Sequence, residues 1–466
     1  MGLTAQEVRQ LVSHPIIDSD GHLLESTSLL TDFLADLVGG KRAKQILLEA
    51  ANQVSMGNAT TGRPRTGWWL TPNNARDIAT AMAPGFRVER AGELGIDFSI
   101  LYPSAGLVFA SLPEEEARLA GVRAINNMHA ELCRDYSRHL TPAALIPMHT
   151  PHEAVAELVH ARSKLGMKVA MIPPIVARAV PANRAAFPQT HALDSYGADS
   201  PYDYDEVWAK FSELGVAVTS HGSITECLPF GRTSPSSYVF NHIGGHAFQQ
   251  DHLCKSLVLA GVPQRFPELN FAFLESGAMW ACDLLQSLVD HFHKRGPAGL
   301  ALLDPSLTDR AELTRLLEPY GAGFVTGIPQ SAGKKLATYD KGSAGHEFQV
   351  AGADSANDLI RAFDRFYFGC EADDRGVAVA LRSEHLFHVR LKAILGSDIG
   401  HWDVPDATQV IPESYELIEH SVIQADDYED FVFRHVVLLH GQMNPEFFAG
   451  TAVEDRASDV LRREGL

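Results

Sequence analysis

Short apolar runs recur along the chain, and most are apolar at every position rather than at alternate ones. They are PIID at 15–18, FSILYP at 98–103, AALIPM at 143–148 and KVAMIPP at 168–174, followed by GVAVTSH at 215–221, NFAFLE at 270–275, RFYFGCE at 365–371 and KAILGSD at 392–398. Unbroken apolar runs of this length suit strands of a parallel sheet covered by helices. Helical patterns lie between them, such as EEEARLAGVRAINNMHAELCRDYSRHL and PHEAVAELVHARSKLG. In the second, Ala154, Leu158 and Ala161 fall at helical spacing, and Gly166 is placed to cap the C-terminus. Repeated strand–helix units with eight strands predict a (β/α)8 TIM barrel, an α/β fold that carries its active site at the C-terminal strand ends. A doubly wound open sheet would want a glycine-rich phosphate loop after an early strand, and no GxGxxG or P-loop stands there.

Two connections are too long for simple loops, residues 26–97 and 296–363. In a single barrel domain spanning 1–466 they read as insertions, the first a lid or pocket cover, the second a lid or an oligomer contact. The first holds NATTGRPRTGWWLTPNN, whose Arg63 and Arg65 can clamp a carboxylate or sit in an exposed polar loop.

Composition narrows the function. The 466 residues are 45% hydrophobic and 21% charged, as in an enzyme with a large core. A net charge of −19 argues against nucleic acid or an anionic membrane as partner and leaves a small molecule. No apolar run approaches the roughly 20 residues of a membrane span. The opening MGLTAQEVRQLVSHP has no secretory pattern and lacks the Ser or Thr of a myristoylation site. Cysteines at 133, 227, 254, 282 and 370, with no CxxC pair, read as reduced thiols of a cytoplasmic protein.

The chemistry gathers at the strand ends. Asp20 and His22 are two apart at the end of the first strand, so on an extended backbone they share a side. His221, Glu275 and Asp398 end three other strands. One strand-end histidine is more often structural than a ligand. Several oxygen and nitrogen donors at one end of a barrel point instead to a metal. His401, Trp402 and Asp403 follow Asp398 and either shape the pocket floor or pack the loop, and Trp402 can stack on a planar substrate. Tyr102, at the second strand end, lines the pocket or caps the barrel. His149 and His152 read as capping and loop residues, and HFHKR at 291–295 as a solvated helix terminus.

Four motifs carry a family resemblance: DSDGH at 18–22, SHGS at 220–223, HAFQQ ahead of RFPELNFAFLESG at 265–277, and LGSDIGHWD at 395–403. Together they resemble the amidohydrolase-related metal enzymes, nearest the branch of aminocarboxymuconate-semialdehyde decarboxylase. The likeness runs from about residue 14 to 450, outside the two insertions. It implies one divalent metal on Asp20, His22, His221 and Asp398, with Asp20 standing where the family carries a histidine. That exchange makes the site harder, so manganese or iron becomes plausible beside zinc. Asp18, just ahead of the pair, is expected to be structural.

The resemblance also makes His246 a candidate general acid or base, with His242 four residues before it. Glu275 stands where many relatives carry a histidine, as a ligand, an orienting group, a proton donor or a plain ion pair. The implied activity is nonoxidative decarboxylation of a small planar carboxylate, aromatic or unsaturated, with Asp398 or His246 as the acid. Two alternatives stay open. One is hydrolysis of a C–N, ester or lactone bond by metal-activated water, and the other is an inactive barrel that only binds. A homodimer is expected.

Overall fold

Eight parallel strands follow one another in chain order around the core of the computed structural model, which describes residues 2–61, 72, 74–180, 191–222, 237–334, 347–382 and 387–466. They begin with β1 (Ile17–Leu23), β2 (Phe98–Pro103), β3 (Leu140–Leu145) and β4 (Val169–Ile172). An antiparallel hairpin, β5 (Val176–Ala179) and β6 (His191–Asp194), then branches off the barrel. The barrel resumes with β7 (Val218–Ser220), β8 (Phe271–Phe273), β9 (Phe366–Cys370) and β10 (Lys392–Leu395). Nearly every residue of the barrel strands is buried, as a sheet covered by helices outside and side chains inside requires. The expected TIM barrel is therefore the fold.

The last strand meets the first through named contacts. The Asp398 N–H donates to the Asp20 carbonyl (2.9 Å), and the His22 N–H donates to the Ile399 carbonyl (3.1 Å). Ser19 Oγ donates to the Leu395 carbonyl (2.6 Å). This seam joins the two ends of the chain that carry Asp20, His22 and Asp398.

Asp18 locks the seam, as expected of a structural residue. It accepts from the Ser397 N–H (3.0 Å), from Ser397 Oγ (2.8 Å) and from Arg87 Nη2 (2.8 Å), with both ion-pair partners buried. Arg87 comes from the first insertion. A side chain at Gly21 would put its β-carbon 2.4 Å from Arg87 Nη2, so the clamp needs glycine there. Removing one partner of a buried pair strands the other charge. Arg87→Ala is accordingly expected to cost about 3–5 kcal/mol of stability, read from denaturant unfolding.

Some boundaries differ from the sequence pattern. β3 starts at Leu140, three residues before the apolar run suggests. The helix Pro151–Ser163 is capped by Lys164, and Gly166 takes its left-handed φ of 71° in the turn beyond it. The β5–β6 hairpin was not legible at all. The helix Met279–Arg295 ends on His293, Lys294 and Arg295, a basic last turn that suits the dipole. Cys133, Cys254, Cys282 and Cys370 are buried thiols, and Cys227 lies outside the described residues. Among the described residues no helix is long and apolar enough to cross a membrane.

Candidate metal centre

β1 is bulged where it matters. Its pairing with β2 shifts register between Asp18 and Gly21, which re-aims Asp20 relative to a regular strand. Asp20 Oδ1 lies 3.9 Å from His22 Nε2 and 3.8 Å from His221 Nε2, and the three donor atoms fall within 4.8 Å of one another. Asp398 Oδ1 lies 3.0 Å from His22 Nε2, at the mouth of the same cluster. The sequence-expected ligand set is thus brought together from β1 and from the ends of β7 and β10.

The two imidazoles are oriented from behind. His22 Nδ1 donates to the Pro103 carbonyl (3.2 Å) and His221 Nδ1 to the Gly222 carbonyl (2.7 Å). A carbonyl only accepts, so each Nδ1 carries the hydrogen and each Nε2 presents a lone pair inward. Burial, reinforced by His401, holds His22 far below its ordinary value. Burial brings His221 down to about 4. Both rings are therefore neutral, the form that ligates.

Asp20 Oδ1, His22 Nε2 and His221 Nε2 are buried without a hydrogen-bond partner. Stranded polar atoms facing one point are costly unless something binds them. Acid crowding gives the same reading. Burial, then Glu275 and Asp398, pushes Asp20 well above the usual carboxylate range. Burial and the neighbouring Asp398 push Asp403 up to about 8, and Glu371, an exposed carboxylate, adds its charge to the same group. A divalent cation fits this donor set and would relieve the repulsion.

Two carboxylate–imidazole pairs flank the cluster. His401 Nδ1 lies 2.7 Å from Asp398 Oδ1, and the His401 ring stacks on His22 with centroids 3.6 Å apart. Burial opposes the His401 imidazolium, yet Asp398 outweighs it and brings His401 to about 9. On the other side Glu275 Oε2 lies 3.1 Å from His221 Nε2 and 2.9 Å from His246 Nδ1. Burial again opposes charge there, but each partner holds the other ionised, raising His246 and lowering Glu275. Gly222 permits the approach, since a β-carbon there would lie 2.4 Å from His246 Nδ1.

Glu275 and Asp398 both have positive φ, 52° and 49°. That conformation costs a non-glycine residue roughly 1–3 kcal/mol, and such strain clusters at functional sites. It turns each side chain off its strand end and into the barrel mouth.

The other candidates sort by position. Tyr102 is fully buried inside the barrel, its ring 5.9 Å from His221. Trp402 is half-buried with its ring 5.7 Å from His242, and His242 lies 5.4 Å from His246. The helix is broken between Tyr238–His242 and Gly245–Leu259, yet both histidines meet. Arg65, with Arg63, Trp68 and Trp69, lies outside the described residues. His149 is half-buried near Arg118 and Arg178, away from the ligand set; burial first and then these charges take it down to about 3. Glu371 escaped notice in the sequence. It directly follows β9, and the strand-end rule that found Glu275 and Asp398 would have found it.

A search of the curated proteins finds no match. Among solved structures, an amidohydrolase from Mycobacterium avium subsp. paratuberculosis K-10 is similar at a TM-score of 0.56 and 15% identity, over 92% of this chain and 100% of that one. A 5-carboxyvanillate decarboxylase from Sphingomonas paucimobilis is similar at 0.48 and 12%, over 92% and 99%. A dihydroxybenzoic acid decarboxylase from Polaromonas sp. JS666, with bound manganese and 2-nitroresorcinol, is similar at 0.46 and 14%, over 94% and 99%. At these identities the likeness to the first concerns the fold alone. The family model described as Amidohydrolase matches residues 17–321, well over half of the chain, and this protein belongs to that family of metal-dependent enzymes.

Proposed function

We propose that the chain is a lyase that removes carbon dioxide, without oxidation, from a small planar aromatic or unsaturated carboxylate. The observation that carries this reading is that the two carboxylates beside His22 and His221 are each already met by a further imidazole, Asp398 by His401 at 2.7 Å and Glu275 by His246 at 2.9 Å. Hydrolysis by activated water needs a carboxylate free to take the water's proton. Decarboxylation needs the reverse, a group that holds a proton ready for the carbon losing its carboxylate. An imidazole–carboxylate pair is such a group.

In this reading Asp20, His22, His221 and Asp398 would hold one divalent ion, zinc, manganese or iron, which would supply positive charge to a carboxylate substrate. The Asp398–His401 pair delivers the proton. Substrate π electrons bond it at the carboxylate-bearing carbon. The carbon–carboxylate electron pair then returns to the π system as carbon dioxide leaves, and solvent restores one proton to the pair. His246, held by Glu275, is the second cationic group near the substrate carboxylate, and Trp402 offers a flat face. The insertions take the roles their lengths suggest. Ala81 of the first accepts from the Leu24 N–H (2.9 Å) beside the ligand strand, which supports a pocket cover at 26–97. Leu302, Tyr320 and Phe324 are 79%, 73% and 60% exposed, which supports a homodimer contact within 296–363.

Two measurements test the proposal. Elemental analysis is expected to find about one divalent metal per chain. A chain without first-row metal, even from supplemented medium, sinks the ligand assignment. Ortho-hydroxylated aromatic and unsaturated carboxylates, assayed in deuterated water, are expected to release carbon dioxide and gain one deuterium at the vacated carbon. Turnover of amides, esters or lactones, with no carboxylate decarboxylated, would make the chain a hydrolase instead.

A further inference from the structure

Behind His22 lies a second buried polar group. Glu25, just past β1, accepts from the Ser104 N–H at 3.1 Å. His129, on the helix Glu115–Cys133, brings Nε2 to 3.4 Å from the same Glu25 oxygen. All three residues are buried, His129 at 0% exposure. Glu25 Oε2, Ser104 Oγ and both His129 nitrogens are without a hydrogen-bond partner. The space is tight, since a β-carbon at Gly106 would sit 2.7 Å from Glu25 Oε1. A buried carboxylate with so few partners costs stability that an apolar side chain would not.

The connection to the metal centre runs through one peptide unit. The Pro103 carbonyl accepts from His22 Nδ1, and the N–H of that same peptide, on Ser104, donates to Glu25. Each hydrogen bond polarises the next, so negative charge on Glu25 strengthens the Pro103 carbonyl as an acceptor. A stronger acceptor at Nδ1–H makes His22 Nε2 the better electron donor and fixes its ring.

We infer that Glu25 is a positioning residue for the metal ligand His22, acting through the Pro103–Ser104 peptide. The inference rests on the reading of Asp20, His22, His221 and Asp398 as ligands. Glu25→Gln keeps the shape and an oxygen for the Ser104 N–H but removes the charge. Manganese and zinc affinities of the full chain, measured by competition with a chromophoric chelator, are expected to fall about 10–100-fold. The melting temperature of the metal-free chain is expected to stay within a few degrees of wild type, a result that a purely structural role for Glu25 would not give. Glu25→Asp keeps the charge but falls short of the Ser104 N–H, so it is expected to lose affinity to an intermediate degree. It carries the test if the glutamine variant fails to fold. Wild-type affinity in either folded variant overturns the inference. So does a pair of variants equally weak in affinity and equally lowered in metal-free melting temperature. A wild-type chain that holds neither metal would instead overturn the ligand reading beneath it, and the two failures are distinct.

Discussion

Replacing His221 by alanine is expected to empty the metal centre. His221 brings the donor nitrogen from the end of β7, and its Nε2 lies within 4.8 Å of the donor atoms of Asp20 and His22. The Gly222 carbonyl has already fixed its tautomer, so the ring offers a ready lone pair. Altering a residue that merely supports a ligand costs roughly 10–100-fold in metal affinity, so losing the ligand itself should cost more. Glu275 is a donor close by, 3.1 Å from His221 Nε2, but it is held in its pair with His246. Metal content after dialysis is expected to drop from about one per chain to a trace, with activity lost alongside. Circular dichroism and gel filtration check that the variant is folded. A folded His221→Ala chain with full metal content would remove His221 from the ligand set.

The parts of this site that were legible in the sequence are those written locally. Eight apolar runs fixed the barrel, and the polar residues ending them supplied Asp20, His22, His221, Glu275 and Asp398. Features made by contacts between distant segments were not legible. Asp18 and Ser397 bond across 379 residues, and Arg87 reaches Asp18 from an insertion that the sequence marks only by its length. The bulge in β1 depends on how β2 pairs with it, and alternation in a single strand cannot reveal that. Positive φ runs against the preference of glutamate at Glu275, where tertiary packing imposes it, and aspartate at Asp398 tolerates it without announcing it in the sequence. The His246–Glu275 pair needed both the helix Gly245–Leu259 and the β8 end in place.

The second large effect is expected from Asp398→Asn, and it separates binding from proton transfer. Asparagine keeps the shape and one carboxylate-like oxygen. It removes the negative charge that His401 Nδ1 faces at 2.7 Å, and with it what holds the proton on that imidazole. In the proposed lyase that pair is the proton source, so turnover should fall at least about a hundredfold, the scale of a lost general acid–base group. Metal content should fall much less, because Asp20, His22 and His221 form a donor cluster of their own. The backbone should hold as well, since the Asp398 N–H to Asp20 carbonyl bond that closes the barrel does not involve the side chain. The measurements are turnover with any carboxylate found to release carbon dioxide, metal stoichiometry by elemental analysis, and deuterium at the vacated carbon in deuterated water. Metal lost in proportion to activity would make Asp398 a ligand before anything else. Wild-type turnover with metal in place would leave proton delivery to the His246–Glu275 pair, and His246→Gln would then be the variant that stops the reaction.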